Sequence, residues 1–122
     1  MLQERSIIRI ADNTGAKIGR VFRVLGGSRK RYAEIGDVVV LSVQIAEPRK
    51  AVKKKDILRA VVVRQTKPFK RKDGSYIRFD ENAVVILDAK QEPKGGRVFG
   101  PIPREIGELG YQKIISLAPE VV

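Results

Sequence analysis

The chain has 122 residues, which is enough for one domain and too few for two cores of usual size. Its 25 Lys and Arg exceed its 14 Asp and Glu, and the net charge of +11 indicates an anionic partner. The lack of Cys and His excludes thiol chemistry, disulfides and most transition-metal and general-base sites. No apolar run approaches the ~20 residues of a membrane-spanning helix, and the first residues have no signal-peptide pattern. We therefore expect a protein of the cytoplasm or of an organelle matrix, with no membrane partner.

Five short segments rich in β-branched residues predict a mainly β protein. The predicted strands cover residues 6–11, 20–25, 37–46, 57–64 and 83–87. Because a closed barrel leaves no exposed strand edges, five strands at this spacing favour a small β-barrel, with a sandwich as the competing architecture. Tight turns are predicted at residues 13–15 and 26–28, whose residue types tolerate positive φ.

A basic β-hairpin is predicted between the fourth and fifth strands, at residues 64–79. The pair Asp73-Gly74 is a strong signal for its turn. Since the hairpin has few apolar residues with which to join the core, we expect a ribbon that projects from the barrel.

Residues 98–122 differ in character from the rest of the chain. They carry two basic and three acidic residues, a charge of −1, so that the first 97 residues carry +12. Two short helices are predicted here, at residues 104–109 and 113–118, and Pro119 ends the second. We interpret residues 1–122 as one domain, with the barrel in residues 1–97 and a C-terminal helical segment after it.

Basic residues cluster in the predicted loops and in the hairpin, where their side chains are free to reach phosphates. For any one cluster the alternative is solvated loop charge, but several clusters in a chain of net charge +11 favour polyanion binding. The candidate phosphate-binding residues are Lys17, Arg29, Lys30, Arg31, Arg49, Lys50, Lys53, Lys54, Lys55, Arg64, Lys67, Lys70, Arg71, Lys72, Arg78 and Arg97.

Structured RNA is the polyanion that fits this pattern best. A membrane surface would favour a basic amphipathic helix, and the predicted helices are the least basic part of the chain. Sequence-specific binding to duplex DNA usually needs a recognition helix, and none of suitable charge is predicted. Single-strand binding relies on stacked aromatic residues, and the chain has only four Phe, three Tyr and no Trp. Recognition of RNA by its shape and backbone survives this elimination.

Two other functions are open to a basic chain of this kind. A free nucleic-acid-binding or RNA-chaperone module would have the same composition. A carboxylate-based nuclease would require Asp73, Asp80 and Glu81 to converge on a metal ion. Adjacent carboxylates in a strand point to opposite faces, so Asp80 and Glu81 are better interpreted as turn residues that pair with nearby Arg.

The sequence resembles one ribosomal protein family over nearly its whole length. Ala60-Val61-Val62-Val63, nine residues, Asp73-Gly74, four residues, Phe79, two residues, Asn82, two residues and Val85-Ile86 are similar to the signature of the fourteenth protein of the large ribosomal subunit. Residues 11–17, 24–27, 35–37, 78–82, 99–101 and 113–121 agree with the same family, in its bacterial and organellar type.

The resemblance implies a fold and a set of partners. The fold is a five-stranded β-barrel with a projecting β-ribbon and two short C-terminal helices. The implied partners are large-subunit rRNA, small-subunit rRNA at intersubunit bridges, the third and nineteenth proteins of the large subunit, and a ribosome-silencing factor. The family has no catalytic role and no cofactor, and its members work in ribosomes of the cytoplasm or of an organelle.

Two positions of this chain depart from the usual pattern of the family. Lys55 stands where many relatives have Gly, and Ile106-Gly107 stands where a helix former and a charged residue are more usual.

The near-neutral C-terminal segment is expected to pack on the barrel and to supply a protein-docking surface. The candidate docking residues are Phe99, Ile102, Leu109, Tyr111 and Ile115.

Overall fold

The structure, a computed structural model, describes residues 2–3, 6–26, 32–50 and 52–122, and its main feature is a closed β-barrel. Nine strands lie in these residues: β1 (Ile7–Ile10), β2 (Ala16–Val24), β3 (Val38–Ala46), β4 (Ile57–Arg64), β5 (Phe69–Lys70), β6 (Tyr76–Ile77), β7 (Ala83–Leu87), β8 (Pro101–Ile102) and β9 (Glu120–Val121).

The barrel has the strand order β1-β2-β3-β4-β7. Its neighbours are antiparallel, except that β7 closes the barrel by pairing in parallel with β1. The predicted barrel is confirmed over the sandwich, and β4 and β7 have the predicted bounds. β2 begins at Ala16 and not at the predicted residue 20. The added residues include Gly19, which lies within the strand and packs closely on Leu41.

The barrel encloses one apolar core, and a second core lies outside it. Inside the barrel, β3 supplies Val39, Leu41 and Val43, all at most 1% exposed. The second core forms where the outer faces of β4 and β7 are covered by the C-terminal segment. β7 is therefore buried at all five positions, which explains why it is apolar throughout and does not alternate.

The C-terminal segment contains two helices, α1 (Glu105–Glu108) and α2 (Gln112–Leu117), and the small parallel sheet β8–β9. Helix α1 is shorter than the predicted 104–109. A Cβ at Gly107 would lie 3.0 Å from Ile115 Cγ1, so the glycine allows α1 to approach α2 closely. Neither helix is long and apolar enough to cross a membrane, within the part of the chain that the structure describes.

The hairpin is present as the two-stranded ribbon β5–β6, separate from the barrel sheet. Gly74 has φ +89° at its turn, as the Asp-Gly pair predicted. The ribbon contacts the rest of the molecule more than its composition suggested. Phe69 and Phe79 pack against the second core, and Arg71 forms an ion pair with Glu105 of α1 at 2.9 Å.

A buried carboxylate links the β1–β2 turn to β7. Asp12 is 4% exposed, and its Oδ1 accepts hydrogen bonds from the backbone N–H and the hydroxyl of Thr14. Its Oδ2 accepts from the backbone N–H of Ile86 at 2.9 Å. These bonds fix the turn to the barrel wall.

We expect Asp12→Ala to lower the free energy of unfolding by about 2–4 kcal/mol, because a buried N–H would lose its acceptor. Urea titration followed by circular dichroism measures the change. Asn13→Ala serves as the control, since the Asn13 side chain accepts one exposed hydrogen bond from Arg97 N–H, and its cost should stay within about 1 kcal/mol. Equal effects of the two substitutions would contradict the role of Asp12.

Asp12 also gives a pH dependence of defined sign. Burial raises the pKa of Asp12 above 3.8, against the opposing effect of hydrogen bonds from Thr14 and Ile86. The folded state thus binds this proton more tightly than the unfolded state, and the contribution is complete below 3.8 and lost as pH rises through the folded pKa. The variant Asp12→Asn cannot titrate at this position. Relative to this variant, the wild-type chain should become more stable as the pH falls from about 7 to about 3.5. A constant difference across this range would show that folding does not change the pKa of Asp12 and would contradict the prediction.

Candidate nucleic-acid interface

Three segments meet at one end of the barrel: the β1–β2 turn with the start of β2 (residues 11–17), the β3–β4 loop (residues 47–50 and 52–56) and residues 95–99. We call this the loop surface. Glu47 N–H donates to the Gly15 carbonyl at 2.7 Å, and Val52 N–H donates to the Thr14 carbonyl at 3.2 Å. Phe99 N–H donates to the Ala11 carbonyl at 2.8 Å. Backbone hydrogen bonds therefore hold the three segments together.

Gly15 is required at this junction. Its φ is +101°, and a Cβ would overlap the side chain of Lys50. The glycine lets the β3–β4 loop lie directly on the turn.

The loop surface brings together seven of the predicted cations. All are exposed, and Lys17 forms an ion pair with Glu47 at 3.4 Å. The Arg97 guanidinium lies 5.5 Å from the centre of the Phe99 ring, which is 45% exposed. The seven cations are Lys17, Arg49, Lys50, Lys53, Lys54, Lys55 and Arg97.

The turns before β3 and β4 have the same construction. In each, an Asp carboxylate accepts from the backbone N–H three residues earlier, Glu34 to Asp37 at 2.8 Å and Lys53 to Asp56 at 2.9 Å. The residue before each Asp has a left-handed backbone: Gly36 at φ +91° in the first turn and Lys55 at φ +74° in the second. Lys55 thus occupies a position that favours glycine.

The ribbon presents a second group of cations. Lys67, Lys70, Lys72 and Arg78 are exposed. Arg71 differs from them, because its side chain is 12% exposed and donates to the Val122 carbonyl at 2.7 Å as well as pairing with Glu105. Its guanidinium holds the ribbon against the C-terminal segment and is not an open phosphate ligand. Arg29, Lys30 and Arg31, the remaining predicted cluster, lie outside the described residues.

Arg64 is also an internal residue. Its side chain is 7% exposed, donates to the Phe99 carbonyl at 2.8 Å and to the Pro101 carbonyl at 3.2 Å, and pairs with Glu81 at 3.3 Å. Burial lowers the pKa of the Arg64 guanidinium, and Glu81 opposes that change. The Arg64 guanidinium therefore binds groups inside the protein, whereas the sequence predicted a contact with phosphate.

Sequence reasoning missed a set of cations on the strands. Arg9, Arg20, Arg23 and Arg59 are exposed on the outer faces of β1, β2 and β4. Each is isolated among apolar residues, so none belongs to a run of charge in the sequence. Alternation along a predicted strand was the signal that could have found them, since residues between buried positions face outward.

The predicted protein-docking residues do not form one patch. Phe99 lines grooves beside the loop surface, whereas Leu109 and Tyr111 line a groove beside residues 90–93. Leu109 is 59% exposed, and Tyr111 and Ile115 are half-buried. Ile102 is 0% exposed and belongs to the second core, so its side chain presents no surface for a partner.

Two of the three carboxylates of the nuclease alternative, those of Asp73 and Glu81, have separate partners. Asp73 accepts from Ser75 within the ribbon turn, which holds the pKa of Asp73 below its ordinary value. Glu81 lies between Arg9 and Arg64, at 3.3 Å from each. Among the described residues, no group of three or more acidic side chains could hold a metal ion.

A small closed β-barrel with exposed cations on the loops at one end is an arrangement typical of nucleic-acid-binding barrels. The family model described as ribosomal protein L14p/L23e matches residues 1–122. The chain therefore belongs to the ribosomal protein L14 family, whose members are structural proteins of the large ribosomal subunit.

Replacing Arg64 should destabilise the fold. Arg64→Met removes the donor to two carbonyl groups and leaves Glu81 without its buried partner, so we expect a loss of about 2–4 kcal/mol. Arg64→Lys should recover only part of this, since an ammonium group lacks the planar fork of donors. Thermal and urea unfolding measure the effect, with exposed Lys90→Met as the control. Wild-type stability in Arg64→Met would disprove the structural role.

Proposed function

We propose that this protein is a structural constituent of the large ribosomal subunit that binds large-subunit rRNA through its loop surface and the exposed cations of its ribbon. It also contributes to the subunit interface, where intersubunit bridges reach small-subunit rRNA. The observation that carries the proposal is the junction of three hydrogen-bonded segments that present seven exposed cations at one end of the barrel.

The arrangement suits a phosphate backbone more than a single small anion. The cations extend along a 10-residue loop and a neighbouring turn, so that many phosphates can be neutralised together. Lysines on exposed loops act as point charges, which suits contacts with phosphates of varied position. Base-specific recognition is not required for such binding.

Backbone strain in the β3–β4 loop supports a functional role. Arg49 and Lys55 both have left-handed φ, +65° and +74°, and both are cations. A left-handed conformation costs an ordinary residue about 1–2 kcal/mol, and strain of this kind concentrates at functional positions. A cation kept where glycine would be more stable indicates that its charge is used.

The C-terminal segment supplies the protein-docking part of the proposal. Phe99, Leu109, Tyr111 and Ile115 retain exposed or half-buried apolar surface. We assign to them the contacts with neighbouring large-subunit proteins, the third and the nineteenth, and with a ribosome-silencing factor. The ribosome in question is that of a bacterial cytoplasm or of an organelle. The alternative function is a free RNA-chaperone module with the same cationic surface.

Sedimentation separates these two functions. A gently lysed extract is centrifuged through sucrose in magnesium buffer, and the chain is detected across the fractions. Stoichiometric migration with the large subunit and with whole ribosomes, retained after a moderate salt wash, is the expected result. Recovery at the top of the gradient would favour the free module.

We expect the triple variant Lys53→Ala, Lys54→Ala and Lys55→Ala to bind an rRNA fragment more weakly. Each lost phosphate contact lowers the salt slope by about 1, so the slope should fall by up to about 3, while stability stays nearly unchanged because exposed charges contribute little to it. Affinity is measured by filter binding at several salt concentrations. The variant Lys90→Ala, Lys94→Ala and Arg104→Ala is the control with equal charge loss. Identical slopes in the two variants would refute a special role for the loop.

The single variant Lys55→Gly separates charge from strain. Relief of the left-handed backbone should leave stability unchanged or raise it by up to about 1 kcal/mol, whereas RNA affinity should fall. Lys54→Gly is the matched control, since Lys54 has no positive φ, and it should lose both stability and affinity. Unfolding curves and RNA titrations are recorded on both. A large loss of stability in Lys55→Gly would contradict the strained geometry.

A further inference from the structure

The outer face of three barrel strands carries cations without any carboxylate. Strands β2, β3 and β4 contain no Asp or Glu. Arg20, Arg23 and Arg59 are exposed on this face, and none forms an ion pair with a described residue. Their charge is therefore open to a partner, unlike that of Arg64 and Arg71.

The strand register aligns these arginines in two rows across the sheet. Arg23 of β2 is opposite Val40 of β3, which is opposite Arg59 of β4. Neighbouring strands lie about 4.8 Å apart, so the backbones of Arg23 and Arg59 are about 10 Å apart. The second row consists of Ile7, Arg20, Ser42 and Ile57 on β1 to β4.

Aliphatic side chains flank the second row. Ile7 is 60% exposed and Ile57 is 66% exposed. The face thus combines a few forked cations with apolar surface at its edges, on four paired strands. We call it the sheet face, defined by Ile7, Arg20, Arg23, Ser42, Ile57 and Arg59.

A double-stranded RNA fits this face. Guanidinium groups bind phosphates bidentately, and a duplex offers phosphates in regular rows, whereas a protein partner would need several carboxylates placed together. The minor groove of A-form RNA is wide and shallow and suits a broad surface, whereas its major groove is too deep and narrow for these side chains. Aliphatic side chains at the edges can lie against the ribose rings.

We propose that the sheet face binds the minor groove of an RNA duplex, as a second RNA contact distinct from the loop surface. The proposal rests on the proposed function for the identity of the partner as RNA. It assigns duplex recognition to the strands and phosphate neutralisation of less regular RNA to the loops.

The test uses the full chain and three labelled probes: an RNA duplex of about 16 base pairs, a DNA duplex of the same sequence and the single-stranded RNA. Binding is followed by fluorescence anisotropy at several salt concentrations. The sheet variant carries Arg20→Gln, Arg23→Gln and Arg59→Gln. The control variant carries Lys90→Gln, Lys94→Gln and Arg104→Gln, which removes the same charge from exposed residues elsewhere.

The wild-type chain should bind the RNA duplex more tightly than the DNA duplex. The sheet variant should lose roughly tenfold or more of this affinity and reduce the salt slope by about 3, as expected for three lost phosphate contacts, whereas the control variant should lose much less. Ile57→Ser should weaken duplex binding severalfold without changing the salt slope, since it removes no charge. Circular dichroism establishes that each variant is folded, and the single substitutions are measured in the same way.

Equal behaviour of the sheet and control variants would overturn the proposal, as would equal affinity for the RNA and DNA duplexes. A sheet variant that binds RNA normally but fails to join large subunits in a sucrose gradient would show that the face contacts a protein instead. Each of these results leaves the proposed function intact if the wild-type chain sediments with the large subunit. A wild-type chain absent from ribosomal fractions would remove the proposed function itself.

Discussion

The structure depends on the antiparallel pairing of β4 with β7, which is buried on both faces along all of β7 and from Ala60 onward in β4. Ala60 and Val62 face the barrel interior, and Val61 and Val63 face the second core. Because the same two strands serve both cores, the C-terminal segment is stabilised by the barrel, and the outer wall of the barrel is covered by the C-terminal segment. All four residues are 0% exposed, so this pairing lies in the desolvated interior of the fold.

This double burial determines where the charge can lie. One side of the barrel is covered by an almost neutral segment, so most of the excess positive charge lies on the uncovered strands, the loops at one end and the ribbon. Arg64 and Arg71 are mostly buried instead, and both donate to carbonyl groups or carboxylates of the C-terminal segment. A buried or half-buried guanidinium needs several acceptors, and irregular backbone near residues 99–101 and the end of the chain supplies them.

The barrel could be predicted from the sequence because its strands are short, β-branched and separated by turn residues, and β4 and β7 were predicted to the residue. The start of β2 was not, since Gly19 does not signal a strand until its contact with Leu41 is known. Among the candidate site residues, charge runs found the β3–β4 loop but could not separate free cations from paired ones. Arg64 has the same neighbours in sequence whether it binds phosphate or the Phe99 carbonyl, and only tertiary structure distinguishes the two. Ile102 likewise has no local signal that separates core from surface.

The two equivalent turns before β3 and β4 show how a binding function can be added to a structural element. Both turns need a left-handed residue before the Asp that closes them, and Gly36 satisfies this need in the first. There a side chain would also overlap Leu109, so the first turn is restricted by packing as well as by φ. The second turn lies on the loop surface, where Lys55 is exposed, and a side chain is tolerated there at the cost of backbone strain. The difference between the turns is therefore one of surroundings. The same backbone geometry is fixed as glycine where it packs on the C-terminal segment, and it accepts a lysine where it is exposed on the loop surface.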